Sequence, residues 1–266
     1  MCRGSLLLAS CISFLVLAMT NPAEADLVGW WRLEEGSGTA VRSEIDSPAK
    51  DATIVGGGSV EWIDNDLASG ANTSYALQFS GTGGDFVQAI TYTGIGGNNP
   101  RSVTAWIKTS EVSTNDVIVS WGENSTGNRF TVRENAGWGG GDDGNRMEFR
   151  IDAGRTRAEG GGGNTQGDTV MNDGQWHHIA VTVQPNSIYS SGIELWLDGQ
   201  LDTRSNSDPD PWHPIADFDV KIGIRYNESG REFTGDIDDV RIYERVLTHD
   251  EVAGLAGKTL PFDKPF

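Results

Sequence analysis

The residue best placed to do chemistry lies near the end of the chain, in Gly235-Asp-Ile-Asp-Asp-Val-Arg-Ile-Tyr243. Read as a strand, this segment puts Asp238 on the same face as Val240 and Ile242, so a carboxylate points with apolar residues. A buried carboxylate must be paired, hydrogen-bonded or metal-bound. Two tryptophans stand outside any strand: Trp138 in Gly137-Trp-Gly-Gly-Gly141, and Trp212 in Asp208-Pro-Asp-Pro-Trp212. Each offers a flat apolar face of the kind that stacks on the C–H side of a sugar ring, and Asp142, Asp143 and Asp210 beside them can accept sugar hydroxyls. Such a tryptophan can also fold back and pin its own loop to the domain. His177 and His178 are adjacent in a strand and face opposite sides, so they cannot form a two-histidine metal face. With His213 and His249 they read as structural, satisfied histidines. Gly-x-Ser-x-Gly, a thiol nucleophile and a phosphate-binding glycine loop opening a helix are all missing, and no catalytic residue is assigned.

The elements that must position these residues are strands. The clearest pair is Asp173-Gly-Gln-Trp-His-His-Ile-Ala-Val-Thr-Val183 followed by Ile193-Glu-Leu-Trp-Leu-Asp-Gly-Gln-Leu201. The first is rich in β-branched and aromatic residues after a turn signal, and the second alternates with period two before a tight Asp198-Gly199 turn. Leu27 to Leu33 opens the fold. Ala76-Leu-Gln-Phe79 and Asp85-Phe-Val-Gln88 read as a hairpin around Ser80-Gly-Thr-Gly-Gly84. Val103, Ala105 and Ile107 alternate with Thr104, Trp106 and Lys108. Val117 to Trp121 and Arg129 to Arg133 bracket a polar turn, and Met147 to Ile151 and Val220 to Ile224 follow as further strands. Short strands without helical periodicity between them exclude parallel β/α folds and predict an all-β antiparallel β-sandwich of the jelly-roll kind. Thr248-His-Asp-Glu251 has capping-box spacing and predicts one short helix near the C-terminus. Long Gly-rich insertions, Asn135 to Asn145 and Arg155 to Gly167, read as surface loops.

Residues 1–25 read as a signal peptide, with an apolar run from Leu6 to Met19 and a small-x-small site at Ala23-Glu-Ala25. A lipoprotein box around Cys11 is the alternative and would leave too short an apolar region. The expectation is therefore secretion to the extracellular or periplasmic space, with one domain over 26–257 and an irregular tail over 258–266. Both cysteines fall within the signal, so a domain without disulfides must rest on its core or on a metal. The net charge is -18, from 38 acidic and 20 basic residues, and the basic residues are scattered. That excludes a nucleic-acid partner, and no later run is apolar enough for membrane insertion.

Taken in order, Trp30-Trp-Arg-Leu-Glu-Glu-Gly-Ser-Gly38, Ala76-Leu-Gln-Phe-Ser-Gly81, Val103-Thr-Ala-Trp-Ile-Lys108, Trp176-His-His-Ile-Ala-Val181, Leu197-Asp-Gly199 and Gly235 to Tyr243 resemble a laminin-G-like domain of the concanavalin A-like lectin/glucanase superfamily. The resemblance implies a jelly-roll sandwich and a calcium ion at its rim, held by Asp238 with Asp46 and Asp51 of the loop after the first strand. That loop is shorter than the family's usual version. The superfamily also includes glycoside hydrolases with a Glu-x-Asp-x-x-Glu strand. The nearest matches here, Glu44-Ile-Asp46 and Asp236-Ile-Asp238-Asp239, lack the second glutamate. The expected function is non-catalytic binding of a carbohydrate or glycoprotein ligand. The alternatives are an adhesion or scaffold domain with a protein partner and, less favoured, a hydrolase or lyase. Sequons stand at Asn72, Asn124 and Asn227.

Overall fold

The computed structural model describes residues 26–64, 74–112, 116–123, 128–135, 146–150, 164–185, 192–207, 218–225 and 230–257. Trp138, Trp212, Asp142, Asp143 and Asp210, with residues 1–25 and 258–266, lie outside them. In chain order the strands are β1 (Leu27–Trp31), β2 (Ala40–Val41), β3 (Ala52–Val55), β4 (Val60–Asp64), β5 (Tyr75–Ser80), β6 (Phe86–Ala89), β7 (Arg101–Lys108), β8 (Val117–Gly122) and β9 (Arg129–Asn135). They continue with β10 (Arg146–Arg150), β11 (Asn164–Gly167), β12 (Trp176–Val183), β13 (Ile193–Leu197), β14 (Gln200–Leu201), β15 (Thr203–Ser207), β16 (Lys221–Ile222) and β17 (Thr234–Tyr243). The helix α1 spans His249–Leu255.

The strands make two antiparallel sheets. One runs β14-β13-β12-β7-β17-β5-β4, with β1 beside the second half of β17; the other runs β15-β11-β10-β9-β8-β16-β6-β3-β2. The period-two alternation read in the sequence is what glues them. Val103, Ala105 and Ile107 of β7, Ile179 and Val181 of β12, and Leu195 of β13 face Val119, Phe130 and Val132 of the other sheet in one core. Burying each large aliphatic or aromatic side chain contributes about 1.5–3 kcal/mol, enough to hold a sandwich without disulfides. The Asp198-Gly199 turn has both residues at positive φ (49° and 78°) and joins β13 to β14 as a two-residue hairpin.

α1 begins as its spacing predicts. Thr248 accepts from the Glu251 backbone and the Glu251 carboxylate accepts from Thr248 N, a complete capping box. The helix closes over Leu27, Ala180, Trp196 and Tyr243 on the outer face of the first sheet.

Three expectations need correction. β5 and β6 are not a hairpin: β5 pairs with β4 and β17 in one sheet, whereas β6 pairs with β3 and β16 in the other. Gly81, Gly83 and Gly84 all sit at positive φ, and the same glycines that close a hairpin here carry the chain from one sheet to the other. Secondly, the end of the second Gly-rich insertion is not loop, because Asn164–Gly167 pairs as β11 with β10 and β15. Thirdly, Asp238 does not share a face with Val240 and Ile242. Asp239 adopts φ 47° and the register jumps between Asp238 and Arg241, so two residues stand opposite Ala105. This bulge flips the alternation. Asp238 stands opposite Trp106 on the outer face, and Ile237, Val240 and Ile242 face the core. Among the described residues, no helix is long and apolar enough to cross a membrane.

Candidate binding site on the outer face of one sheet

Antiparallel register puts directly opposed residues on the same face, so pairings can be chained across a sheet. Glu61 of β4 stands opposite Gln78 of β5, Gln78 opposite Asp236 of β17, Asp236 opposite Lys108 of β7, and Lys108 opposite Trp176 of β12. The result is one polar row across five strands, about 19 Å long at the usual strand spacing. Ile63, Ala76 and Trp106 of the neighbouring row pack together with Trp176 at the row's far end.

The open end of the row holds a cavity of about 270 Å³ lined by Gly58, Ser59, Glu61, Gln78 and Ser80. Glu61, Gln78 and Ser80 are exposed. Gln78 is held from behind, because its Nε2 donates to Asp236 Oδ1 at 3.1 Å. A carboxylate can only accept, so this bond assigns the amide nitrogen and leaves Gln78 Oε1 as an acceptor. Asp236 is itself buried and also lies 4.0 Å from Lys108 Nζ. Lys108 in turn lies over the Trp176 ring, 5.9 Å from its centroid.

The near wall is built by Asp85. Its carboxylate accepts from Gly57 N (2.9 Å), Gly58 N (2.8 Å), Ser59 N (2.6 Å) and Ser59 Oγ (2.7 Å). These bonds hold Asp85 below the usual carboxylate range although burial opposes them. At Gly56, φ is 128° and a Cβ would fall on the Asp85 carboxylate, so only glycine lets the loop close on its anchor. Replacing Asp85 by alanine is expected to free this loop, costing about 2–3 kcal/mol by urea unfolding, because it strips several charge-assisted bonds at once.

The outer face of the second sheet is polar too, and its β9 side chains are buried. Arg129, Thr131 and Arg133 of β9 project from it and are each no more than 1% exposed.

The sequence-predicted metal residues are not brought together. Asp46 pairs with Lys50 at 3.0 Å, Asp51 Oδ1 accepts from Ser43 N at 2.9 Å, and Asp238 Oδ1 accepts from Asp239 N at 2.8 Å. Among the described residues, no group of three or more His, Cys, Asp or Glu converges as a metal set.

Two histidines depart from each other sharply. His177 is clamped between Asp198 Oδ2 (2.8 Å, at Nδ1) and Asp173 Oδ1 (3.1 Å, at Nε2), and its pKa is raised mainly by the Asp198 bond. His178, against the expectation of a satisfied histidine, has a buried Nδ1 without a hydrogen-bond partner among the described residues. Its ring meets Trp106 edge-on at 5.3 Å, and burial pushes its pKa down to about 3.

Sequence reading missed Glu61, Gln78 and Lys108 as site residues, and the strand β4 with them. A signal was present: Val60-Glu-Trp-Ile-Asp64 alternates, but it follows Gly56-Gly-Gly58 and reads as loop.

Comparison with known proteins agrees with this architecture. A laminin G family model, described as concanavalin A-like lectin/glucanases superfamily, matches residues 80–253. Among curated proteins, neuronal pentraxin-2 of Cavia porcellus is 31% identical over 102 residues, covering 34% of this chain and 22% of its own length. The chain thus spans about a fifth of that relative. Among solved structures, domain 4 of an extracellular GH43 arabinanase from Geobacillus stearothermophilus, in complex with arabinotriose, superposes with TM-score 0.60 at 19% identity, covering 87% of this chain and 98% of that one. The binding domain of Paraclostridial Mosquitocidal Protein 1 follows with TM-score 0.55 at 15% identity over 88% and 52% of the two chains. A Trypanosoma rangeli sialidase superposes with TM-score 0.54 at 14% identity over 87% and 32%. At these identities the likeness is one of fold.

Proposed function

The chain belongs to a laminin G family of the concanavalin A-like lectin/glucanases superfamily, and from that premise we propose that it is an exported, non-catalytic module that binds carbohydrate on the outer face of its first sheet. The observation that carries the reading is the rigid polar row ending in an open cavity lined by a carboxylate, a carboxamide and two hydroxyls. A sugar presents neighbouring hydroxyls that both donate and accept. Glu61 and Gln78 Oε1 supply acceptors, while Ser59 and Ser80 supply hydroxyls of either sense. The side chains stand on paired strands, so little ordering is needed when a ligand arrives. Domain 4 of the arabinanase, a superposing fold solved with arabinotriose, supports the same class of ligand. Catalysis is disfavoured because Asp236 is engaged by Gln78 and Lys108, leaving, among the described residues, Glu61 as the one free carboxylate at the cavity and no acid/base pair.

The test is binding of the purified protein to a glycan array, followed by calorimetry on the strongest glycan. Gln78→Ala is expected to weaken that binding at least about tenfold, since losing one or two ligand hydrogen bonds gives up about 1.4 kcal/mol or more. It is also expected to lower Tm by a few degrees while the protein stays folded, because buried Asp236 loses the Gln78 Nε2 donor. Unchanged affinity in this variant would move the site elsewhere, and an array without signal would favour a protein ligand. The cavity supplies one carboxylate, so the reading includes no calcium. Tm is expected to be the same in excess calcium and in chelator, because an ion that bound the folded state would raise it by mass action.

A further inference from the structure

We infer that the cavity sorts its ligands by charge, taking amino sugars ahead of neutral sugars and neutral sugars ahead of acidic ones. The inference rests on the carbohydrate-binding reading above and concerns the ligand class of the same site.

Three observations carry it. Glu61 lines the cavity, is exposed, and has neither hydrogen bond nor ion pair among the described residues, so its charge is available to a ligand. The cation of the row is already committed: Lys108 Nζ sits 4.0 Å from Asp236 Oδ2 and over the face of Trp176. A third carboxylate, Asp85, sits just behind the wall, bonded to Gly58 and Ser59, which themselves line the cavity. Among the described residues the site therefore carries Glu61, Asp85 and Asp236 against a single ammonium. The whole chain, these residues included, carries a net charge of -18, which sets the field that an approaching anion must cross.

The chemistry that follows is direct. A protonated 2-amino group can form an ion pair with Glu61, charged on both sides, whereas a sugar hydroxyl donates to it with charge on the acceptor alone. A uronic or sialic carboxylate meets repulsion with no free cation to offset it. Because Glu61 is solvent-exposed, the gain is modest and screened: an exposed ion pair corresponds to about two- to fivefold in affinity at low salt.

The experiment is an array carrying matched amino, neutral N-acetylated and carboxylated members of each glycan backbone. It is probed at mildly acidic pH, where the amines are protonated, with the purified protein and with Glu61→Gln. The expected result is amino over neutral by about two- to fivefold, acidic weakest, and the gap narrowing as salt is raised. In Glu61→Gln the order collapses: amino members lose the most, neutral members weaken less because the Gln carboxamide oxygen still accepts, and acidic members weaken least or gain. Tm is unchanged, because Glu61 is exposed at a sheet edge. Binding without this order, or an order that Glu61→Gln leaves intact, overturns the inference and leaves the carbohydrate reading standing. No binding to any member overturns both.

Discussion

Replacing Arg101 by leucine is expected to destabilise the protein by about 3–5 kcal/mol, the range for removing a buried, fully hydrogen-bonded charged group and leaving its partners unpaired. Arg101 opens β7 and is fully buried. Its guanidinium spends its fork on main-chain carbonyls: Nε donates to Asn99 O at 3.1 Å, Nη1 to Ile95 O, and Nη2 to Gly96 O, Gly97 O and Asn99 O. It is the spindle around which the loop 94–99 is wound. That loop also covers Trp121, whose Nε1 donates to Ile95 O at 3.1 Å. At Gly94, φ is 72° and a Cβ would meet the Trp121 ring, so the loop lies flat on a core residue. Burial draws the Arg101 pKa down to about 10, still leaving it charged at neutral pH. Arg101→Lys keeps the charge but not the fork, and should recover less than half of the loss. Urea unfolding with an unchanged m-value is the measurement, and Tm should fall by about 10 °C for the leucine variant. A loss below about 1 kcal/mol would show that the loop holds without its spindle.

The second large effect is acid sensitivity centred on His178. Its folded pKa is about 3 against 6.5 for the free side chain, chiefly because burial disfavours the imidazolium, with Arg241 adding repulsion. The ring is neutral in the folded protein, whereas the unfolded chain takes up a proton below pH 6.5. Stability from this group is therefore complete above about pH 6.5 and is lost progressively as pH falls towards 3. At pH 5 the loss is about 2 kcal/mol, from 1.5 pH units at 1.36 kcal/mol each. His177 acts with the opposite sign. Its pKa is raised by Asp198 and Asp173, so its contribution is complete below its unfolded value and is lost as pH rises through its folded one. Two adjacent histidines thus place maximum stability close to pH 6.5. Denaturation measured from pH 4.5 to 8.5 should show both limbs. His178→Gln should flatten the acid limb, and His177→Gln the alkaline one. An acid limb of full slope in His178→Gln would assign the sensitivity to other groups.

The neighbouring pair also shows how far a strand pattern can be read. That His177 and His178 face opposite sides follows from the pleat alone. Which of them meets two carboxylates and which has a ring nitrogen without a partner depends on turns 4 and 21 residues away. Asp238 makes the same point with a different outcome. The pleat placed it with Val240 and Ile242, and one left-handed residue, Asp239, reversed that assignment. Trp30 Nε1 and the Arg241 guanidinium both donate to Asp239, so the partners that hold the bulge come from β1 and from beyond the bulge itself.

Much of this protein is nevertheless written locally. Alternation in β7 and β13, the β-branched and aromatic run of β12, the Asp198-Gly199 turn and the capping box at Thr248 rest on interactions within a few residues, and all stand in the fold as the sequence predicts. The membership of the sandwich follows from such pieces in order. The binding row does not. Glu61, Gln78, Asp236, Lys108 and Trp176 come from five strands, and the Gln78 to Asp236 bond spans 158 residues. Strand partners and register across such separations are decided by which arrangement buries the apolar faces of both sheets together, a property of the whole chain and of no single segment. The amino-acid sequence by itself determined which side chains each strand turns outward; only the packed sheets decided which of them stand side by side.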